Sequence, residues 1–171
     1  MAIGDELRNW DGKSTAYLEA IYARTQRVPQ TIDELIRSLD ELPLQTGASW
    51  LLKHSFEQGA RLSSAQTDQL FDRLAALRDW PAKLHVLQCL PWLNLSTDHK
   101  DAVEPFVRDS LTSPNKFVRA WALNGFILLS QQFDELAAEA DSRVAHALEN
   151  EAPSVKARLR AILKERDKRA R

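Results

Sequence analysis

The sequence predicts an all-α chain in which helical pairs stack as a right-handed α-α superhelix of about nine helices, and three observations carry that expectation. Short apolar motifs recur at a near-constant period. Ala82-Lys-Leu-His-Val-Leu87, Val118-Arg-Ala-Trp-Ala-Leu123 and Val155-Lys-Ala-Arg-Leu-Arg160 superimpose at offsets of 36 and 37 residues, and Trp50-Leu-Leu52 lies 71 residues before Trp121-Ala-Leu123. A period in the thirties that holds two helices marks a unit that must stack on its neighbours to bury its apolar side. Prolines punctuate the same period: Pro43, Pro81, Pro114 and Pro153 stand at separations of 38, 33 and 39, each where a helix begins and a missing amide proton costs nothing. Only five glycines are present and β-branched residues are few, which disfavours hairpins and phosphate-cradling loops.

In chain order, Asp11-Gly12 signals a turn, after which Ser14 or Thr15 caps a helix bearing Ala16, Tyr17, Ala20, Ile21 and Ala23. Thr31 and Glu34 have capping-box spacing before Leu35, Ile36 and Leu39. The helix with Trp50, Leu51, Leu52 and Phe56 should stop near Gly59, and Ser63 to Gln66 forms a second capping box before Leu70, Phe71, Leu74 and Leu77. A helix from Pro81 carries Leu84, Leu87 and Leu90 and ends or kinks near Pro91, where the ring clashes with the preceding turn. Ser96 or Thr97 caps the next, with Val103, Phe106 and Val107, and Pro105 in its interior should bend it. Ser113 as N-cap and Pro114 at the first position then open a helix that is apolar on every side from Phe117 to Leu129 except at Arg119, Asn124 and Gly125. That helix is expected to be buried between neighbours. Asp134 caps a helix with Leu136, Ala140, Val144 and Leu148, and the final helix runs from Pro153 before fraying from Lys164 onward. The expected organisation is one repeat domain over 1–171: a cap helix within 1–30, about four helical pairs over 31–168, and a basic frayed end at 169–171.

At 171 residues the chain is long enough for a continuous core without disulfides, and the single Cys89 fits a reducing compartment. No basic start followed by an apolar stretch and no run of about eighteen apolar residues is present, so a cytoplasmic protein without a membrane partner is expected. The net charge of -1 hides an uneven distribution: residues 1–150 carry 15 basic and 21 acidic side chains, residues 151–171 carry 8 and 3.

Val103-Glu-Pro105-Phe-Val-Arg-Asp-Ser-Leu111, followed by Ser113-Pro114, Val118-Arg119, Ala122 and Leu123, resembles the paired outer and inner helices of the HEAT-repeat family. Residues 64–94 and 134–166 are similar but looser, residues 31–58 are similar in layout, and the resemblance covers about 140 residues. The family's acidic turn residue is kept as Asp79 and Glu151, while Ser113 stands there in the best copy. The resemblance implies a non-enzymatic scaffold or adaptor that binds a protein or peptide on a concave face made by the inner helices, 43–58, 81–94, 114–131 and 153–168. The alternative is a nucleic-acid-binding protein resembling the HEAT-like DNA glycosylases, which the acidic body disfavours.

No His-Glu-x-x-His, Gly-x-Ser-x-Gly, Gly-x-Gly-x-x-Gly or P-loop pattern is found, so neither an enzyme nor a cofactor is indicated, and no metal-ligand spacing is present. His85 and Cys89 share a helix face four residues apart, either as a thiolate-imidazole pair or, more simply, as a buried thiol beside a polar residue. Trp50 and Trp121 occupy equivalent repeat positions, which suits packing between repeats or a ligand-facing aromatic surface. The candidate binding residues are Lys83, Arg119 and Lys156, which recur about one repeat apart, with Lys53 and His54 on the preceding inner helix. They either form a row of donors in the concavity or pair with turn acids and carbonyls. The basic end binds phosphate or an acidic partner, or simply complements its helix dipole.

Overall fold

The computed structural model describes residues 2–169, the side chain of Arg169 excepted. Every regular element among them is helical: ten α-helices, with five 3-10 turns between or at the ends of them. No described helix is long and apolar enough to cross a membrane. By internal contacts the chain divides into two compact units, residues 1–94 and 95–171.

The first unit contains α1 (Ile3–Arg8), α2 (Thr15–Thr25), α3 (Thr31–Ser38), α4 (Gln45–Glu57), α5 (Ser64–Phe71) and α6 (Trp80–Cys89). Helix α4 is its centre, packed against α2, α3 and α6. Ala48, Leu51, Leu52 and Phe56 of α4 are buried, as are Ala82, Val86, Leu87 and Cys89 of α6. At the end of α4, Ala60 N donates to Ser55 O and Gly59 N to Phe56 O, with Gly59 at φ +97°, so the expected stop is a glycine-closed one.

Helix α1 was not foreseen, because a six-residue helix has too few turns to show a period. Its Ile3 and Leu7 are buried, and Gly47 of α4 makes the space for Leu7 and for the Trp10 ring that follows the helix. A Cβ at Gly47 would lie 2.7 Å from Leu7 Cδ2 and 3.2 Å from the Trp10 ring.

The Ser63 capping box forms as expected, with Gln66 N donating to Ser63 Oγ and Ser63 N to Gln66 Oε1. The Thr31 box does not. Gln30 is the N-cap of α3, the Thr31 hydroxyl donates to Thr25 O at 2.7 Å, and the Glu34 carboxylate accepts from Ile3 N of α1 at 3.4 Å.

Gln45 is the polar key of this unit. Its side-chain amide is buried, donating to Leu39 O at 3.0 Å and Ala76 O at 2.9 Å and accepting from Arg78 N at 2.9 Å. It therefore supplies partners to backbone groups at the end of α3 and just before α6, groups that a helix leaves unsatisfied at its termini. The spacing is general. Arg8 reaches Glu41, Gln66 reaches Asp33, Arg73 reaches Asp40 and Thr46 reaches Asp79, each 33 residues away, and Ser49 Oγ meets His85 Nδ1 36 residues away.

His85 is held neutral, its pKa lowered to about 4 by burial and then by the nearby Lys53 ammonium. Burial also pushes the Cys89 thiol well above its ordinary range. The pair is a buried thiol beside a hydrogen-bonded neutral imidazole, the simpler of the two expectations.

The second unit contains α7 (Lys100–Leu111), α8 (Lys116–Gln132), α9 (Ala137–Asn150) and α10 (Pro153–Arg169), with α8 packed against the other three. Pro105 lies inside α7 without ending it. The start of α8 differs from expectation: Asn115, not Ser113, is the N-cap, its Oδ1 accepting from Phe117 N and Val118 N, and Pro114 lies outside the helix. Asp134 likewise caps nothing; it begins a 3-10 turn that leads into α9. Helix α10 stays helical through 164–169, where fraying was expected, and the remainder of the expected frayed end, 170–171, lies outside the described residues.

The expected burial of α8 holds for Val118, Ala120, Ala122, Leu123, Phe126, Ile127 and Leu129. Phe117, however, is half exposed and Trp121 half-buried. A core cluster joins Ala120, Leu123 and Ile127 of α8 to Ala147 of α9 and Val155 and Leu159 of α10.

Two stability measurements follow. Gln45→Leu keeps the volume but leaves three buried backbone groups unpaired, and should cost at least about 3 kcal/mol at roughly 1–3 kcal/mol per abandoned group; urea denaturation measures it, and a midpoint equal to wild type would show that Gln45 is dispensable. Leu123→Ala should cost about 2–5 kcal/mol through the cavity it leaves, with Trp121→Ala costing less because its ring already meets solvent.

Candidate binding groove

One side of α9 repeats polar and small residues at helical spacing: Glu139, Ser142, Arg143, His146, Ala147 and Asn150. This side faces Arg119 and Leu123 of α8, the end of α7 at Leu111, and Glu151 in the turn after α9. Together they enclose an open groove of about 640 Å³. Its apolar lining comes from Leu111, Leu123 and Ala147, and its rim is charged.

The charges are held in pairs. Arg119 Nε and Nη2 donate to the two carboxylate oxygens of Glu151 at 2.7 and 2.9 Å, while Nη1 donates to Ser113 O and Pro114 O. Opposite, Glu139 is shared: Arg108 forms two bonds to it at 2.6 and 2.7 Å, and Arg143 Nε a third at 2.9 Å. Both of those guanidinium groups also lie over the buried Phe126 ring, 4.9 and 5.3 Å from its centroid. An aromatic face of this kind attracts cations and fixes where they sit.

The hydrogen bonds from Arg108, followed by those from Arg143, hold the Glu139 carboxyl down to about 2. Arg119 lowers Glu151 in the same way, and Arg108 and Arg119 are raised in return. His146 lies close enough to Glu151 to contribute to its shift, and its Nδ1 is 3.2 Å from Asn150 Nδ2. The groove therefore offers planar, oriented guanidinium groups, amide and hydroxyl groups, and an apolar floor. That combination suits a polypeptide segment, whose amides and side chains need all three.

Of the residues expected from sequence, Arg119 lines the groove. Lys156, on α10, does not; its Nζ donates to Glu149 O at 2.8 Å, a carbonyl in the last turn of α9. In the first unit, Lys53 and His54 diverge on α4. Lys53 pairs with Glu57 one turn on, whereas His54 stacks on Trp50 at 4.9 Å and meets the edge of Tyr22 at 4.6 Å. Lys83 is half-buried in the first turn of α6. Trp50 thus packs on its own helix, while Trp121 lies beneath Arg158 of α10, 4.9 Å from the guanidinium carbon to the ring centroid. No group of His, Cys, Asp and Glu among the described residues has the arrangement of a metal site.

Sequence reasoning missed Glu139, Ser142, Arg143, His146 and Asn150. Their signal in the sequence is an i, i+3, i+4, i+7 polar stripe, which does not by itself distinguish a cleft-facing side from a solvated one. Comparison of the chain with protein-family models, with curated proteins and with solved structures finds no match to any of them.

The Glu139 linkage gives a pH prediction. Its folded pKa of about 2 lies below the ordinary glutamate value of 4.5, so its stabilisation is present above about pH 4.5 and is lost as pH falls through about 2. Glu139→Gln should lower the denaturation midpoint at neutral pH and flatten its decline between about pH 5 and 2 relative to wild type. Parallel declines in the two proteins would show that the carboxylate is not coupled to folding.

Proposed function

We propose that the chain is a non-enzymatic scaffold or adaptor built from HEAT-like helical repeats, acting in the cytoplasm, and that a protein or peptide partner seats a segment in the groove between α8 and α9. The observation that carries this reading is the groove's composition: paired guanidinium and carboxylate groups around an apolar floor, with Arg119 common to the groove and to the concave-face site expected from sequence. A partner carboxylate competes for Arg119 or Arg143, while a partner cation competes for Glu139 or Glu151, so both signs of charge on a polypeptide find a match. The repeat reading is supported by contacts in the second unit that keep the spacing of the first. Lys100 reaches Glu135 at 35 residues, Arg108 reaches Glu139 at 31 and Arg119 reaches Glu151 at 32. A stack of similar two-helix units produces such a constant interval. Cys89, buried and unbridged, suits a reducing compartment.

The test places a photocrosslinking side chain at Ser142, an exposed position on the groove, and captures partners in native host extract. Capture of a discrete polypeptide, lost when Asn150→Trp fills the groove, is the expected result. Equal capture by the filled and open proteins would exclude the groove as the binding site.

A further inference from the structure

Many cations elsewhere in the chain are held by carboxylates, among them Arg8 by Glu41, Arg73 by Asp40, Lys100 by Glu135, Arg108 by Glu139, Arg119 by Glu151 and Arg143 by Glu139. On helix α10 the cations instead form a row. Lys156, Arg160, Lys164 and Lys168 follow one another at intervals of four residues, which sets them in a row along the helix, about 6 Å per step. Arg160, Lys164 and Lys168 are exposed, and none of the three pairs with a carboxylate among the described residues. Arg158 adds a further exposed cation over Trp121. The carboxylates of the same helix are Glu165, which is exposed, and Asp167, which lies 3.7 Å from Arg166.

The orientation of the row is fixed by packing. Val155 and Leu159 are buried, with Ile162 and Leu163 against the same cluster, so the opposite side of α10 is turned outward. Two exposed small residues, Ala157 and Ala161, lie on that outward side and leave the cations unobstructed. Like charges four residues apart destabilise a helix by a few tenths of a kcal/mol per pair. The helix dipole compensates only in the last turn, which covers Lys168 but not the mid-helix Arg160.

We propose that the outward face of α10 docks on the phosphate backbone of a nucleic-acid duplex. A duplex carries one negative charge per ~1.7 Å of axis, so the exposed cations from Arg160 to Lys168, about 12 Å along the helix, meet phosphates over their whole length. A membrane surface fits less well, since the apolar side of α10 is spent on the core and none is left to insert. A folded protein partner fits less well because the row lacks the aromatic or aliphatic anchor on which such interfaces depend. Contacts of this class position a protein on a duplex without reading its sequence.

The experiment is fluorescence anisotropy of a labelled 20-base-pair duplex titrated with the full chain at a series of salt concentrations. Wild type should bind with log Kobs falling linearly against log salt with a slope of about -3, roughly -0.9 per neutralised phosphate. The triple variant Arg160→Gln, Lys164→Gln, Lys168→Gln should bring that slope close to zero and weaken binding at least about tenfold at low salt. Circular dichroism establishes that the variant is folded, and Glu165→Lys should strengthen binding. No duplex binding by wild type at low salt, an unchanged slope in the folded triple variant, or equal binding to polyglutamate would each overturn the proposal.

Discussion

The first unit depends on one buried amide. A helix that ends inside a protein leaves carbonyls and N–H groups without partners, and water is not there to supply them. Gln45 answers this with a single side chain that has two donors and an acceptor, placed between the end of α3 and the approach to α6. Because those groups lie nearly forty residues apart in sequence, the same amide that satisfies them also fixes which segments sit side by side. A leucine there would contribute more apolar burial and specify less.

The second unit reaches the same end with charges. Glu135, Lys100, Glu104, Arg108, Glu139 and Arg143 alternate in sign along the surface of α7 and α9, each touching the next. Individual exposed ion pairs contribute little, but arginines that are bidentate, and that rest on Phe126, have few alternative positions to give up. The groove inherits its rim from this order. Its arginines are presented in fixed directions, at the cost of already having partners.

Apolar period and glycine punctuation were legible in the sequence, because burial of Leu51, Leu123 or Leu159 follows from local spacing and a stop at Gly59 from its lack of a side chain. Caps were legible only where the competing partner is local. Ser63 and Gln66 find each other, whereas Thr31 and Glu34 are drawn to Thr25 and to Ile3, groups whose proximity depends on how the helices pack. Asn115 displaced Ser113 because its Oδ1 reaches two amides of the first turn. Helix α1 was invisible for the same reason: it is short, and its place depends on the missing side chain of Gly47. At the groove, Arg119 stood out as a recurring residue. Its partner Glu151 was recognised as a turn acid, but the α9 stripe was not, since nothing local says which side of an amphipathic helix looks into a cleft.

Cys89 gives the chain a built-in reporter. Its thiol is buried and is held in the protonated form, so an alkylating reagent meets neither an accessible sulfur nor a thiolate. Being the chain's only cysteine, it needs no competing thiols removed before its chemistry can be followed. Its rate of modification therefore clocks the opening of the first unit, and a cysteine introduced on an outward-facing side chain takes a fluorophore or spin label at that point alone.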